Sequence, residues 1–106
     1  MSKPRIRLPD QAKVGEVIEI KTLISHMMET GFRYDESGQL IPRDIIHRLV
    51  CTYDGEEVFR ADLFPAITAN PFLAFTTVAT ESGTLAFSWS DDGGHTQTET
   101  VKISVE

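Results

Sequence analysis

The chain is 106 residues long, with 41% hydrophobic and 25% charged residues, which suits one globular domain spanning 1–106 and excludes the low-hydrophobicity composition of a disordered chain. Its net charge of -6, with ten scattered Lys and Arg residues, excludes the clustered basic surface that binds nucleic acid. A single cysteine, Cys51, excludes an internal disulfide framework, so the core must hold by packing.

No apolar run reaches the length of a membrane span or resembles the central region of a signal peptide. No membrane partner is expected, and at face value the chain reads as cytoplasmic.

From the N-terminus, Ile6 and Leu8 alternate with Arg5 and Arg7 ahead of Pro9, as in a short edge strand. The cluster Lys3, Arg5, Arg7 on that arm reads as a solvated edge. Lys13 to Glu16 form a turn. In the run 17–25, Ile18, Ile20, Thr22 and Ile24 share one face by period-2 spacing, and Glu19 and Lys21 share the other. The stretch 21–43, KTLISHMMETGFRYDESGQLIPR, then departs from any regular period and collects two Met, a His, two Arg and a Tyr. Loops on a rigid scaffold are where recognition residues gather. Within it, Asp35 to Gly38 predict a turn between hairpin arms 31–33 and 39–41, and Pro42 bars a helix across the junction.

A second long strand is predicted over 45–53, with Ile45, His47, Leu49, Cys51 and Tyr53 facing inward. Asp54-Gly55 is a hairpin turn signal, and the returning strand places Phe59, Ala61 and Leu63 on one face. After the irregular segment PAITANP come strands 72–79 and 84–90, the latter with Leu85, Phe87 and Trp89 on one aromatic-rich face. Asp91 to Gly94 form a tight turn, and strand 95–105 turns Val101, Ile103 and Val105 inward. No segment carries a helical period. About seven short strands with turn chemistry between them predict an all-β, immunoglobulin-like antiparallel β-sandwich.

Candidate chemistry is sparse. Cys51 sits on the inward face of its strand and reads as a buried thiol; the competing reading is an interchain disulfide. His26, His47 and His95 are too far apart for a sequence-local metal signature. Ligation of a soft metal by His26, Met27 and Met28 is the alternative function, a free-standing metal-binding or electron-transfer domain; the plainer reading is that these Met residues are adaptable contacts. Asp91 and Asp92 lack the remaining ligands of a calcium loop and read as turn formers. Neither a phosphate loop, a nucleophile elbow nor a close pair of catalytic carboxylates is present, so no enzyme activity and no cofactor are expected.

Three segments, KTLISHMMETGFRYDESGQLIPRDII, TANPF and SGTLAFSWSDDGG, together resemble the SoxZ family over nearly the whole chain. The chain departs from the family at Met27, where Pro is frequent. The resemblance implies a non-catalytic subunit that pairs with SoxY in the SoxYZ carrier complex of thiosulfate oxidation. SoxY bears the thiosulfate-derived sulfur on a cysteine in its C-terminal arm. This chain ends VKISVE with no such arm, so it is expected to stabilise and present SoxY rather than carry sulfur itself. It further implies a periplasmic location reached by co-export with SoxY, transient contact with other Sox enzymes, and homodimerisation when the subunit is alone. The partner-contact residues expected on this basis are His26, Met27, Met28, Arg33, Tyr34 and Arg43, with Arg33 and Arg43 steering anionic sulfur species.

Overall fold

The computed structural model describes residues 3–67 and 69–106. Its eight strands are β1 (Arg5–Arg7), β2 (Gln11–Ala12), β3 (Val17–Leu23), β4 (Ile46–Tyr53), β5 (Glu56–Asp62), β6 (Phe72–Val78), β7 (Gly83–Asp91) and β8 (Thr96–Val105). They form a three-stranded sheet, β1-β3-β6, and a five-stranded sheet, β2-β8-β7-β4-β5. Neighbours pair antiparallel except β2 and β8, which are parallel. The result is the expected all-β sandwich, with β2 as an added two-residue strand.

Alternation builds the core. In β3, Ile18, Ile20 and Thr22 are buried, as is Ile24 just beyond it, while their neighbours are exposed. Thr22 is tolerated inside because its hydroxyl donates to the Leu73 carbonyl at 3.0 Å, since a buried hydroxyl needs a partner. From the facing sheet, β7 contributes Leu85, Phe87 and Trp89, all essentially fully buried. An aromatic column joins the layers: Phe59 of β5 stacks on Phe75 of β6 with centroids 3.9 Å apart, Phe75 meets Phe87 at 6.5 Å, and Phe87 meets Trp89 at 6.1 Å. These rings contribute packing beyond their buried area. Where the chain passes from β6 to β7, the Tyr53 hydroxyl donates to the Glu81 carbonyl and accepts from the Thr80 and Glu81 amides.

The inward face of β4 needs one correction. Ile45, Leu49, Cys51 and Tyr53 are buried as expected, but Ile46 is buried as well and His47 is only half-buried. A register shift between Ile46 and Arg48 in the β4–β7 pairing interrupts the alternation, and a bulge of this kind re-aims side chains. At the other end of β4, Asp54 and Gly55 have φ of 49° and 87°, the two positive values a type I′ turn requires.

Cys51 is 0% exposed, and burial pushes its thiol up to about 12. At neutral pH it is therefore protonated, and a sulfur from another chain would reach it only if the core opened. In the folded chain Cys51 is expected to resist a thiol-specific disulfide reagent and to react at the rate of a free thiol in denaturant; rapid native labelling would contradict the buried placement.

Candidate functional site

The long connection between β3 and β4 is built around two carboxylates from the far end of β7. Asp92 receives both the Nε and an Nη of Arg43, at 2.8 and 3.1 Å, and the Ile45 amide at 3.2 Å. Its own amide donates to the Ile45 carbonyl at 3.0 Å, and His47 Nδ1 lies 3.3 Å from it. Asp91 accepts the His95 amide at 2.8 Å on Oδ1, and its Oδ2 lies 3.4 Å from His26 Nε2 and 3.3 Å from His95 Nδ1. Burial pushes both carboxyls up, but their donors outweigh it and hold both below the ordinary range. The donors are the His95 amide, His95 and His26 for Asp91, and Arg43, the Ile45 amide and His47 for Asp92.

At its start the connection is held by Asn70. The His26 amide donates to Asn70 Oδ1 at 3.0 Å and the His26 carbonyl accepts the Asn70 amide at 2.8 Å. This gives the Ala69-Asn70-Pro71 segment its structural role. Met28, in the left-handed region at φ 54°, directs its amide to His26 Nδ1 at 3.0 Å. That bond makes Nδ1 the acceptor and assigns the ring proton to Nε2, the nitrogen facing Asp91.

Beyond this anchor the chain forms the expected hairpin. Glu29 and Asp44 exchange backbone hydrogen bonds at 2.8 and 2.9 Å, the Ile41 amide donates to the Arg33 carbonyl at 2.8 Å, and Tyr34 pairs with Leu40. Asp35 closes the tip by accepting the Ser37 amide, the Ser37 hydroxyl and the Gln39 amide. Gly31 is required at the base: its φ is 86°, and a Cβ there would lie 2.9 Å from Arg43 Cβ. The hairpin exposes Phe32, Tyr34 and Leu40, and Met27 beside its base is 82% exposed.

The six expected contact residues thus separate. Met27 and Tyr34 are exposed. Met28 is buried, and its sulfur accepts the Ile46 amide at 3.3 Å, so it packs beneath the loop and is not displayed. The His26 side chain is 8% exposed. Arg33 is held in a two-point ion pair with Glu29, and Arg43 in one with Asp92; the charge expected to steer anions is neutralised within the chain at both positions. The histidines are too far from one another in sequence for a local metal signature, yet the fold brings Asp44 and Asp91 to His26, and sets His95 beside Asp91. They line a cleft of about 400 Å³ with Ser25, Met27 and Asn70.

Because both carboxyls titrate below their ordinary value near 4, the unfolded chain takes up protons there before the folded chain does. The stability they contribute is present above that pH and is lost as pH falls through their folded values. Replacing Asp92 by Asn should cost about 1–3 kcal/mol at neutral pH and flatten the acid limb of a urea-denaturation series; an unchanged midpoint at pH 7 would show that Asp92 anchors nothing.

Comparison with known proteins places this geometry in a family. No curated protein sequence matches the chain significantly. Among solved structures it is similar to a superoxide reductase (neelaredoxin) variant from Ignicoccus hospitalis, with a TM-score of 0.73 at 16% identity, covering 97% of this chain and 79% of that one. A putative superoxide reductase from Thermotoga maritima gives 0.74 at 18%, with 97% and 85% covered. The sulfur carrier protein SoxY from Chlorobium limicola f thiosulfatophilum gives 0.69 at 12%, with 97% and 78% covered. At these identities the likeness is one of fold. The model of the sulphur oxidation protein SoxZ, in contrast, matches residues 6–102, and the chain belongs to the SoxZ family.

Proposed function

We propose that this chain is the non-catalytic subunit of a SoxYZ sulfur-carrier heterodimer in thiosulfate oxidation. It stabilises SoxY and presents it to the other Sox enzymes, while the cysteine of SoxY's C-terminal arm carries the sulfur. The family match over residues 6–102 carries this reading. The site supports it by its form. A hairpin stiffened by the Arg33–Glu29 pair and the Asp35 turn holds Phe32, Tyr34 and Leu40 in solvent, and grouped exposed apolar side chains mark an interaction surface. Tyr34 is the natural anchor, because aromatic residues dominate interface energetics. Met27, at the rim of the His26 cleft, extends the same contact, and His26, Met28, Arg33 and Arg43 act by fixing its shape.

The heterodimer forms before export, so that this subunit reaches the periplasm folded against a signal-bearing SoxY. Such a pair needs an interface larger and more apolar than a transient encounter. Without SoxY the same surface favours a homodimer.

Co-expression with SoxY followed by native mass spectrometry should give a one-to-one complex that survives reductant, since Cys51 is enclosed. The triple change Phe32→Ser, Tyr34→Ala, Leu40→Ser should weaken that complex at least tenfold, about 1.4 kcal/mol or more. Unchanged affinity would move the interface away from the hairpin, and absence of any complex would overturn the subunit assignment.

A further inference from the structure

The cleft beside the hairpin base contains an arrangement that the subunit role does not use. One ligand atom from each of His26, Asp44 and Asp91 lies within 4.8 Å of the others, and His26 Nε2 is 3.9 Å from Asp44 Oδ1 and 3.4 Å from Asp91 Oδ2. His26 and Asp91 are nearly enclosed, with side chains 8% and 3% exposed. Asp44 Oδ1 is buried and has no hydrogen-bond partner among the described residues, although the other part of that side chain reaches solvent. A buried carboxylate oxygen without a partner, facing a histidine nitrogen and a second carboxylate, favours a bound cation. His95 stands at the mouth, its Nδ1 3.3 Å from Asp91 Oδ2 and its side chain 71% exposed and free to turn.

We propose that His26, Asp44 and Asp91 form a divalent transition-metal site, with His95 as an outer fourth ligand. A tetrahedral ion with bonds of about 2.0–2.1 Å sets neighbouring ligand atoms about 3.3 Å apart. The separations from His26 Nε2 to Asp91 Oδ2, 3.4 Å, and from His95 Nδ1 to the same oxygen, 3.3 Å, already match, and Asp44 Oδ1, 3.9 Å from His26 Nε2, must move inward to complete the set, which its half-exposed side chain allows. A mixed nitrogen and oxygen donor set selects zinc or another borderline ion over calcium, which takes oxygen ligands, and over copper(I), which favours the thioether of the Met residues. Asp91 is prepared for the role, because Oδ1 is fixed by the His95 amide and Oδ2 is left to face the cleft.

One interaction opposes binding. The Met28 amide points at His26 Nδ1, so coordination through Nε2 moves the ring proton to Nδ1 and the amide gives up its acceptor. Loss of a single amide hydrogen bond is small against a metal–ligand set, so the metal prevails and the Met28 amide becomes a reporter of occupancy.

The test uses the full chain after chelator treatment, titrated calorimetrically with Zn²⁺, with amide NMR read in parallel and Co²⁺ absorption as an optical check. One ion per chain is expected, with a shift of the Met28 amide resonance and visible bands of tetrahedral intensity for Co²⁺. His26→Gln and Asp44→Asn should each weaken binding at least tenfold, while Glu56→Gln, which removes an exposed carboxylate at the far end of β4 from the cleft, leaves it unchanged. Asp44→Asn keeps the test sharp should His26→Gln fold poorly, because that side chain is half-exposed. No saturable binding at micromolar Zn²⁺, binding indifferent to Asp44→Asn, or an unmoved Met28 amide would each overturn the site.

Discussion

The anchoring of the β3–β4 connection by the carboxylates of Asp91 and Asp92 is the interaction on which the upper end of the sandwich depends. A segment of more than twenty residues between two strands of different sheets has a large conformational entropy to lose. Hydrogen bonds between charged groups are among the few local contacts strong enough to offset it, at about 1.5–3 kcal/mol each. Asp92 gathers a guanidinium and a main-chain amide. Asp91 gathers the turn's own amide and faces two histidines. Asn70 completes the clamp from the β5–β6 connection. Three loops distant in sequence therefore meet at one end of the sandwich, and the hairpin projects from that junction as a fixed shape.

The parts of the fold that follow from local alternation were legible in the sequence. Ile18, Ile20, Thr22 and Ile24 declare a buried face by spacing alone, and Leu85, Phe87 and Trp89 do the same. Asp54-Gly55 declares its turn through backbone chemistry. Strand β2 was not legible, because its two residues are held by parallel pairing with β8, a partner more than ninety residues away that leaves no local pattern. The exchange of Ile46 for His47 on the inner face of β4 comes from a bulge in the pairing with β7, which the alternation of β4 by itself does not encode.

At the candidate site the difference is sharper. The hairpin and its tip could be read from Asp35 to Gly38, and the SoxZ resemblance from the same stretch. What could not be read is where its charges go. Arg43 and Asp92 are separated by 49 positions, and a guanidinium in a Gln-Leu-Ile-Pro-Arg segment looks available until the fold supplies its carboxylate. Met28 looked like a displayed thioether for the same reason: period-2 logic stops at Ser25, so nothing in the sequence announces that its side chain turns inward to meet the Ile46 amide. A hint did exist in Asp91 and Asp92, since two adjacent carboxylates exceed what a tight turn needs.

The division of labour between the two ends of the hairpin follows. Its base is polar, internally neutralised and built for position; its arms are apolar and exposed, built for contact. With Arg33 paired to Glu29 and Arg43 to Asp92, the loop has little free positive charge with which to attract anions. In the proposed function, recognition is left to the exposed Phe32, Tyr34 and Leu40. Site-resolved amide hydrogen exchange on the wild-type chain at neutral pH tests this most directly. Protection of Glu29, Asp44 and Ile45 approaching that of Ile20 and Leu49, with fast exchange confined to exposed positions such as Glu36, is the predicted result. Exchange at Glu29, Asp44 and Ile45 as fast as at the tip would mean that the carboxylate anchor does not hold the hairpin, contradicting the account.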